Sequence, residues 1–303
     1  MVQREINYYK TAYRELEANF QLFFCPLKNR LSQLYIERKT YIDMIVVNNK
    51  NELIEVINKR IEEQGLECDL NDIDVSKVKD MSGLFSADVL KDFNGDISKW
   101  NTSNVKDMRY MFNGSRFNGD ISKWDVSRVK NMASMFNGSK FNGDISAWNV
   151  SNVENMCFMF YRSQFDGDIS KWDVSRVHYM NGMFSYSFFN GDISGWDTSN
   201  VFNMRSMFEF SAFTGDISKW NVSRVGDMSY MFSESKFNGD ISRWDVSNVR
   251  DAYGMFLNSK FGGDIRDWNI DISYVEDMCS MFRKSPLEGR EPLWYIIWCG
   301  GRF

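Results

Sequence analysis

The residues Phe-Asn-Gly-Asp-Ile-Ser-x-Trp, with small variations, recur so that Trp100, Trp124, Trp148, Trp172, Trp196, Trp220, Trp244 and Trp268 are spaced uniformly by 24 residues. No insertion interrupts the series. A fixed period of about 20–50 residues marks a stacked repeat, in which one unit cannot bury its own apolar face and its neighbours cover it. An inserted loop would wedge neighbouring units apart, so strict spacing predicts an elongated ladder. Function is then sought where a rung breaks the pattern.

Each unit divides in two. The first half, for example Phe117-Asn-Gly-Asp-Ile-Ser-Lys-Trp-Asp-Val126, carries a glycine turn followed by Ile, Trp and Val, which suits a short strand. The second half places Val129, Met132, Met135 and Phe136 at helical spacing, with Ser127 where an N-cap belongs. The Ser column (Ser103, Ser127, Ser151, Ser175, Ser199, Ser223, Ser247, Ser273) is unbroken and reads as structural capping. The expected fold class is α/β: an open repeat solenoid with one short parallel strand plus one short helix per 24-residue coil. The constant Phe, Trp, Val and Met-Met-Phe positions are its expected core.

Residues 1–50 read as a helical N-terminal extension broken near Cys25-Pro26. Residues 51–72 form a capping helix and lead-in. Asn51 stands as N-cap, Gly65 as the stop, and Leu53, Ile54, Ile57 and Ile61 lie on one apolar face. The repeats occupy 73–285, and 286–303 is an apolar C-terminal cap containing Pro-Leu-Trp-Tyr-Ile-Ile-Trp-Cys299.

Composition excludes several classes. A net charge of −5 argues against nucleic-acid binding through phosphate neutralisation. Five cysteines without a CxxC, and a single histidine, His178, argue against a disulfide framework or a zinc site. No apolar run of membrane-spanning length and no leader-like segment occurs, so a cytoplasmic location is the expectation from these residues. P-loop, Rossmann and GxSxG motifs are absent, so the chain is expected to be no enzyme, with no catalytic residues and no cofactor.

The run Phe-Asn-Gly-Asp-Ile-Ser-Lys-Trp-Asp-Val-Ser-Arg-Val-Lys-Asn-Met, the Met-Phe pair and the opening Asp-Leu-Asn-Asp-Ile-Asp-Val-Ser resemble the BspA-like leucine-rich-repeat surface-protein family. The resemblance covers about 51–285. It implies a leucine-rich-repeat-like coil, a cell-surface or secreted location, and adhesion or host-protein contact without catalysis.

Three columns bear on function. Asp96, Asp120, Asp144, Asp168, Asp192, Asp216, Asp240 and Asp264 form an acidic row whose members repel one another by about 1 kcal/mol at a rung spacing of about 4.8 Å in water. Backbone N–H groups at the Gly-Asp turn are the expected compensation, because one carboxylate per coil is too few oxygens for calcium. The basic row Lys99, Lys123, Lys171, Lys219 and Arg243 balances it. A third column alternates Asn104, Arg128, Asn152, Arg176, Asn200, Arg224 and Asn248 and reads as a record of growth by doubling.

Aromatics crowd the variable positions of three adjacent second halves: Phe158, Tyr161, His178, Tyr179, Tyr186, Phe202 and Phe210, with Phe188 beside them. Exposed aromatic clusters are enriched at interfaces. The expectation is a protein-binding surface on the helical side of the middle rungs, made sensitive to pH by His178. A glycan-binding adhesin would use the same rings. A structural or decoy solenoid, an acidic mimic acting through its regular charged surface, is the alternative.

Overall fold

A computed structural model describes residues 44–300; the expected helical extension over 1–50 lies outside that range as far as residue 43, and its described end holds a short strand at Ile45–Val46. The chain separates into two compact units, Met1–Met44 and Ile45–Phe303. In the second, the short strand β1 (Ile45–Val46) pairs in parallel with β2 (Ile73–Asp74), and helix α1 (Lys50–Gln64) lies between them in sequence. Helix α2 (Leu293–Gly300) follows the last repeat.

The N-cap of α1 is Asn49, two residues before the expected Asn51; its Oδ1 accepts the N–H groups of Asn51 and Glu52. Gly65 stops the helix with φ of +88°. Leu53 and Ile57 are fully buried, and Arg60 pairs with Asp72 at 2.7 Å, so α1 docks on the lead-in to the first repeat.

Stacking is written in the hydrogen bonds. In one second half, Met108, Tyr110, Phe112 and Gly114 donate to the carbonyls of Asn131, Ala133, Met135 and Asn137 in the next unit at 2.7–2.9 Å. The intervening Met111, Asn113 and Ser115 donate three residues back within their own unit. The expected helix is therefore a run of tight turns; among the described residues, α1 and α2 are the α-helices. A helix needs every N–H directed four residues back along the chain, and a segment of two turns is too short to nucleate one. Here half of those donors face along the stack instead.

The expected strand is also displaced. Parallel one-residue bridges run Asp80–Asp107–Asn131–Asn155–Tyr179–Asn203–Asp227–Asp251–Asp277, in the second half of each unit; a first-half bridge, Asp69–Asp96, occurs at the start of the stack. In the first half, side chains make the joints. Asn94 Oδ1 accepts from the Asn118 N–H, and Asn118 Oδ1 from the Asn142 N–H, each at 2.8 Å. The Trp148 indole donates to the Ile121 carbonyl at 3.1 Å, and its counterparts repeat the bond up the stack. This satisfies the indole N–H of a ring that is otherwise buried.

The Ser column does not cap helices. Ser127 donates its N–H to Asp125 Oδ1 at 2.9 Å, and the same bond recurs at Ser175 and Ser199. The preceding Asp or Asn is the turn-forming residue.

The constant columns are the core. Phe117, Met132, Met135, Phe136 and Phe141 are fully buried and Trp124 nearly so. Two phenylalanine columns interleave: Phe112 stacks on Phe117, five residues on, at 4.6 Å and on Phe136, one period on, at 5.6 Å. At the far end Trp294 of α2 continues the tryptophan column. It donates to the Ile265 carbonyl at 3.1 Å and stacks on Trp268 at 6.1 Å.

Candidate functional site

The tight turns place residues in left-handed backbone at two positions per unit. The first column contains Tyr110, Ser134, Phe158, Gly182, Ser206 and Tyr230; the second contains Gly114, Gly138, Arg162, Tyr186, Phe210 and Glu234, all with φ between +50° and +64°. Glycine suits such positions, and a bulky side chain there costs about 1–2 kcal/mol. Phe158, Tyr186 and Phe210 hold that conformation while remaining 37–43% exposed, so core packing does not account for them.

The seven aromatic residues form two groups. In the first, Phe158 meets Tyr161 edge-on at 5.8 Å, Tyr161 meets Tyr186 edge-on at 5.6 Å, and Tyr186 stacks on Phe210 at 4.5 Å. The Arg162 guanidinium lies 5.2 Å from the Tyr161 ring centre and 5.0 Å from that of Tyr186. Gly182 is part of this arrangement, since a Cβ there would stand 2.2 Å from the Phe158 ring. Unit by unit, glycine, tyrosine and phenylalanine thus assemble a continuous ring surface with a cation laid across it.

In the second group, His178 stacks on Phe202 at 5.1 Å with the planes within 3°, and Tyr179 meets both rings edge-on at 6.4 Å. No ring contact joins the two groups among the described residues. Neither group sits on a helical side, because the second halves are turns.

Sequence reasoning missed Arg162, which ties two rings together; Phe188, one of the aromatics in these variable positions, is 76% exposed. Further along the stack, Arg205 lies 5.7 Å from the Tyr230 ring, which meets Tyr253 at 5.1 Å. The recurring pairing of an arginine with tyrosines in these columns was the available signal.

The acidic row is held by backbone donors, as its turn chemistry predicts. Asp120, Asp144, Asp168, Asp192, Asp216 and Asp240 each accept the N–H of the serine two residues on at 2.9 Å, and Asp264 accepts that of Arg266. These bonds, foremost the backbone one, hold the serine-paired carboxyls below the usual range; Lys123, Lys171 and Lys219 add to the effect at Asp120, Asp168 and Asp216. Among the described residues no cluster of three His, Cys, Asp or Glu could hold a metal. The stabilisation these carboxylates provide is complete above the unfolded aspartate value of about 3.9 and is lost as pH falls through the lower folded values. Thermal unfolding should keep this contribution from about pH 7 to 5 and lose it below about pH 4. A melting temperature that holds steady through that acid range would show the bonds to be energetically idle.

The alternating Asn/Arg column is a pairing device. Arg128, Arg176 and Arg224 each donate to the asparagine one unit earlier at 2.6–2.7 Å. Asn152, Asn200 and Asn248 each donate to the serine carbonyl of the unit before at 2.6–2.7 Å. An arginine needs an acceptor below it and asparagine supplies one, so a two-unit period has a present physical reason as well as a history.

The family described as "Mycoplasma protein of unknown function, DUF285" matches residues 54–164, 116–211, 138–232 and 186–288. The overlapping matches together cover the greater part of the chain. It belongs to the DUF285 family. Membership establishes a repeat protein and carries no assigned activity. No curated protein and no solved structure matches the chain. Among the described residues, no helix of this DUF285 chain is long and apolar enough to cross a membrane.

Proposed function

We propose that this DUF285 protein is a non-enzymatic interaction scaffold that binds another protein through the ring surface Phe158, Tyr161, Tyr186 and Phe210. The finer fold reading is a solenoid akin to the BspA-like leucine-rich-repeat proteins, and that likeness favours adhesion at a cell surface. The observation that carries the proposal is the Tyr161–Tyr186–Phe210 contact chain: Tyr186 and Phe210 are exposed and in left-handed backbone, Tyr161 is half-buried between them and Phe158, and Arg162 lies across the two tyrosines. Backbone strain of that kind persists where something other than stability retains the residue. Large rings beside an arginine are the side chains that most often anchor protein complexes.

The test uses residues that other units already carry at the same places. Tyr161→Asn copies Asn137, while Tyr186→Gly and Phe210→Gly copy Gly138. Proteins captured from extracts by the wild-type chain would be measured against this triple variant. Affinity should fall about a hundredfold, as expected when several anchor rings are lost. Folding, followed by circular dichroism, should be unimpaired because glycine relieves the left-handed strain. Unchanged affinity in a folded variant would overturn the ring surface as the site.

A further inference from the structure

Beside the second aromatic group, one rung lacks a side chain. The column Glu154, His178, Phe202, Gly226, Arg250 is continuous through its backbone: Phe202, Gly226 and Arg250 donate in turn to His178, Phe202 and Gly226 at 2.8–2.9 Å. His178 and Phe202 show the spacing of planar groups stacked one rung apart, 5.1 Å with planes 3° from parallel. The next place in that stack is Gly226, where the column presents no side chain at all.

Glycine is not required there by the fold. Gly226 does not have positive φ, and an added Cβ would approach no atom closer than 3.9 Å. What glycine creates is an open cleft of about 410 Å³ lined by Phe202, Arg224, Gly226, Asn248 and Arg250. Its lining residues include one aromatic, Phe202, and two arginines, Arg224 and Arg250. Arg224 uses Nη1 on Asn200, and its guanidinium retains further donors.

We propose that the Gly226 cleft receives an aromatic side chain from an acidic segment of a protein partner. The ring takes the missing place in the stack, one rung beyond Phe202 and one before Arg250. Carboxylates on either side of it in the partner sequence pair with Arg224 and Arg250. Stacking on Phe202 and a cation over the opposite ring face act on the same group, and the two arginines select the charge of its neighbours. The choice of a protein segment rests on the proposed function above.

The probe is a fluorescently labelled, end-blocked peptide Asp-Asp-Tyr-Asp-Asp, with Asp-Asp-Ala-Asp-Asp and Lys-Lys-Tyr-Lys-Lys as controls. The full chain should bind the first at up to about 1 mM and each control at least about tenfold more weakly. Gly226→Leu fills the cleft without displacing backbone, and it should reduce binding by about tenfold or more; Arg250→Ala should reduce it in the same sense. Unaltered folding of Gly226→Leu would be verified by its melting temperature. Failure of the wild-type chain to bind the acidic tyrosine peptide, equal binding of the alanine peptide, or undiminished binding by either variant would overturn the cleft. Capture of partners through Tyr161, Tyr186 and Phe210 is measured on a chain with Gly226 intact. The two readings can therefore fail separately.

Discussion

Replacement of Trp172 by alanine should destabilise the stack by about 3–5 kcal/mol, the usual cost of removing a large ring from a core. Trp172 is 3% exposed, its ring lies 6.3 Å from that of Phe160, and its indole donates to the Ile145 carbonyl at 3.2 Å. Alanine removes the packing and one inter-unit joint in a half-unit whose joints come from side chains. The residual cavity would be lined by neighbouring units, which cannot close it without breaking the ladder on either side. Urea unfolding followed by circular dichroism gives the free-energy change. A loss below about 1 kcal/mol would show that the ring is not a structural joint.

Gly167→Ala should cost about 1–3 kcal/mol although it adds a single methyl group, because the space is already filled. An added Cβ would lie 2.8–2.9 Å from the Phe165 ring. That ring cannot retreat: it is fully buried and stacks at 4.4 Å on Phe160. The constant glycine of the Phe-Asn-Gly-Asp turn is thus demanded by the phenylalanine two residues before it. Gly195 supplies the control, since nothing lies within 4 Å of its added Cβ. Gly195→Ala should be neutral or slightly stabilising through the unfolded chain. Equal effects of the two substitutions, read from the same unfolding curves, would refute the steric argument.

Glycine columns show how far the sequence could be read. The period announced stacking, and constancy of Phe, Trp and Met-Met-Phe announced burial, because a position that faces both neighbours cannot vary independently in any unit. The acidic row was legible for the same reason: a Gly-Asp turn offers its own N–H groups, and Asp120 and its counterparts took them. Element type was not legible. Val129, Met132, Met135 and Phe136 have spacing common to a helix and to successive tight turns, and only the direction of the N–H groups separates the two. That direction is set by the neighbouring unit, one period away.

The candidate site was legible as composition and not as arrangement. Local chain order determined that aromatics crowd residues 158–210. Tertiary structure decided that Phe158, Tyr161, Tyr186 and Phe210 form one surface with Arg162, and that His178, Tyr179 and Phe202 form another beside an empty place at Gly226. By itself the sequence determined the period, the buried columns and the turn chemistry, all of which follow from residue identity at fixed spacing. Which columns adjoin, and which side chains meet across units, depends on how each coil turns in space. That is a property of hydrogen bonds between residues some 24 positions apart.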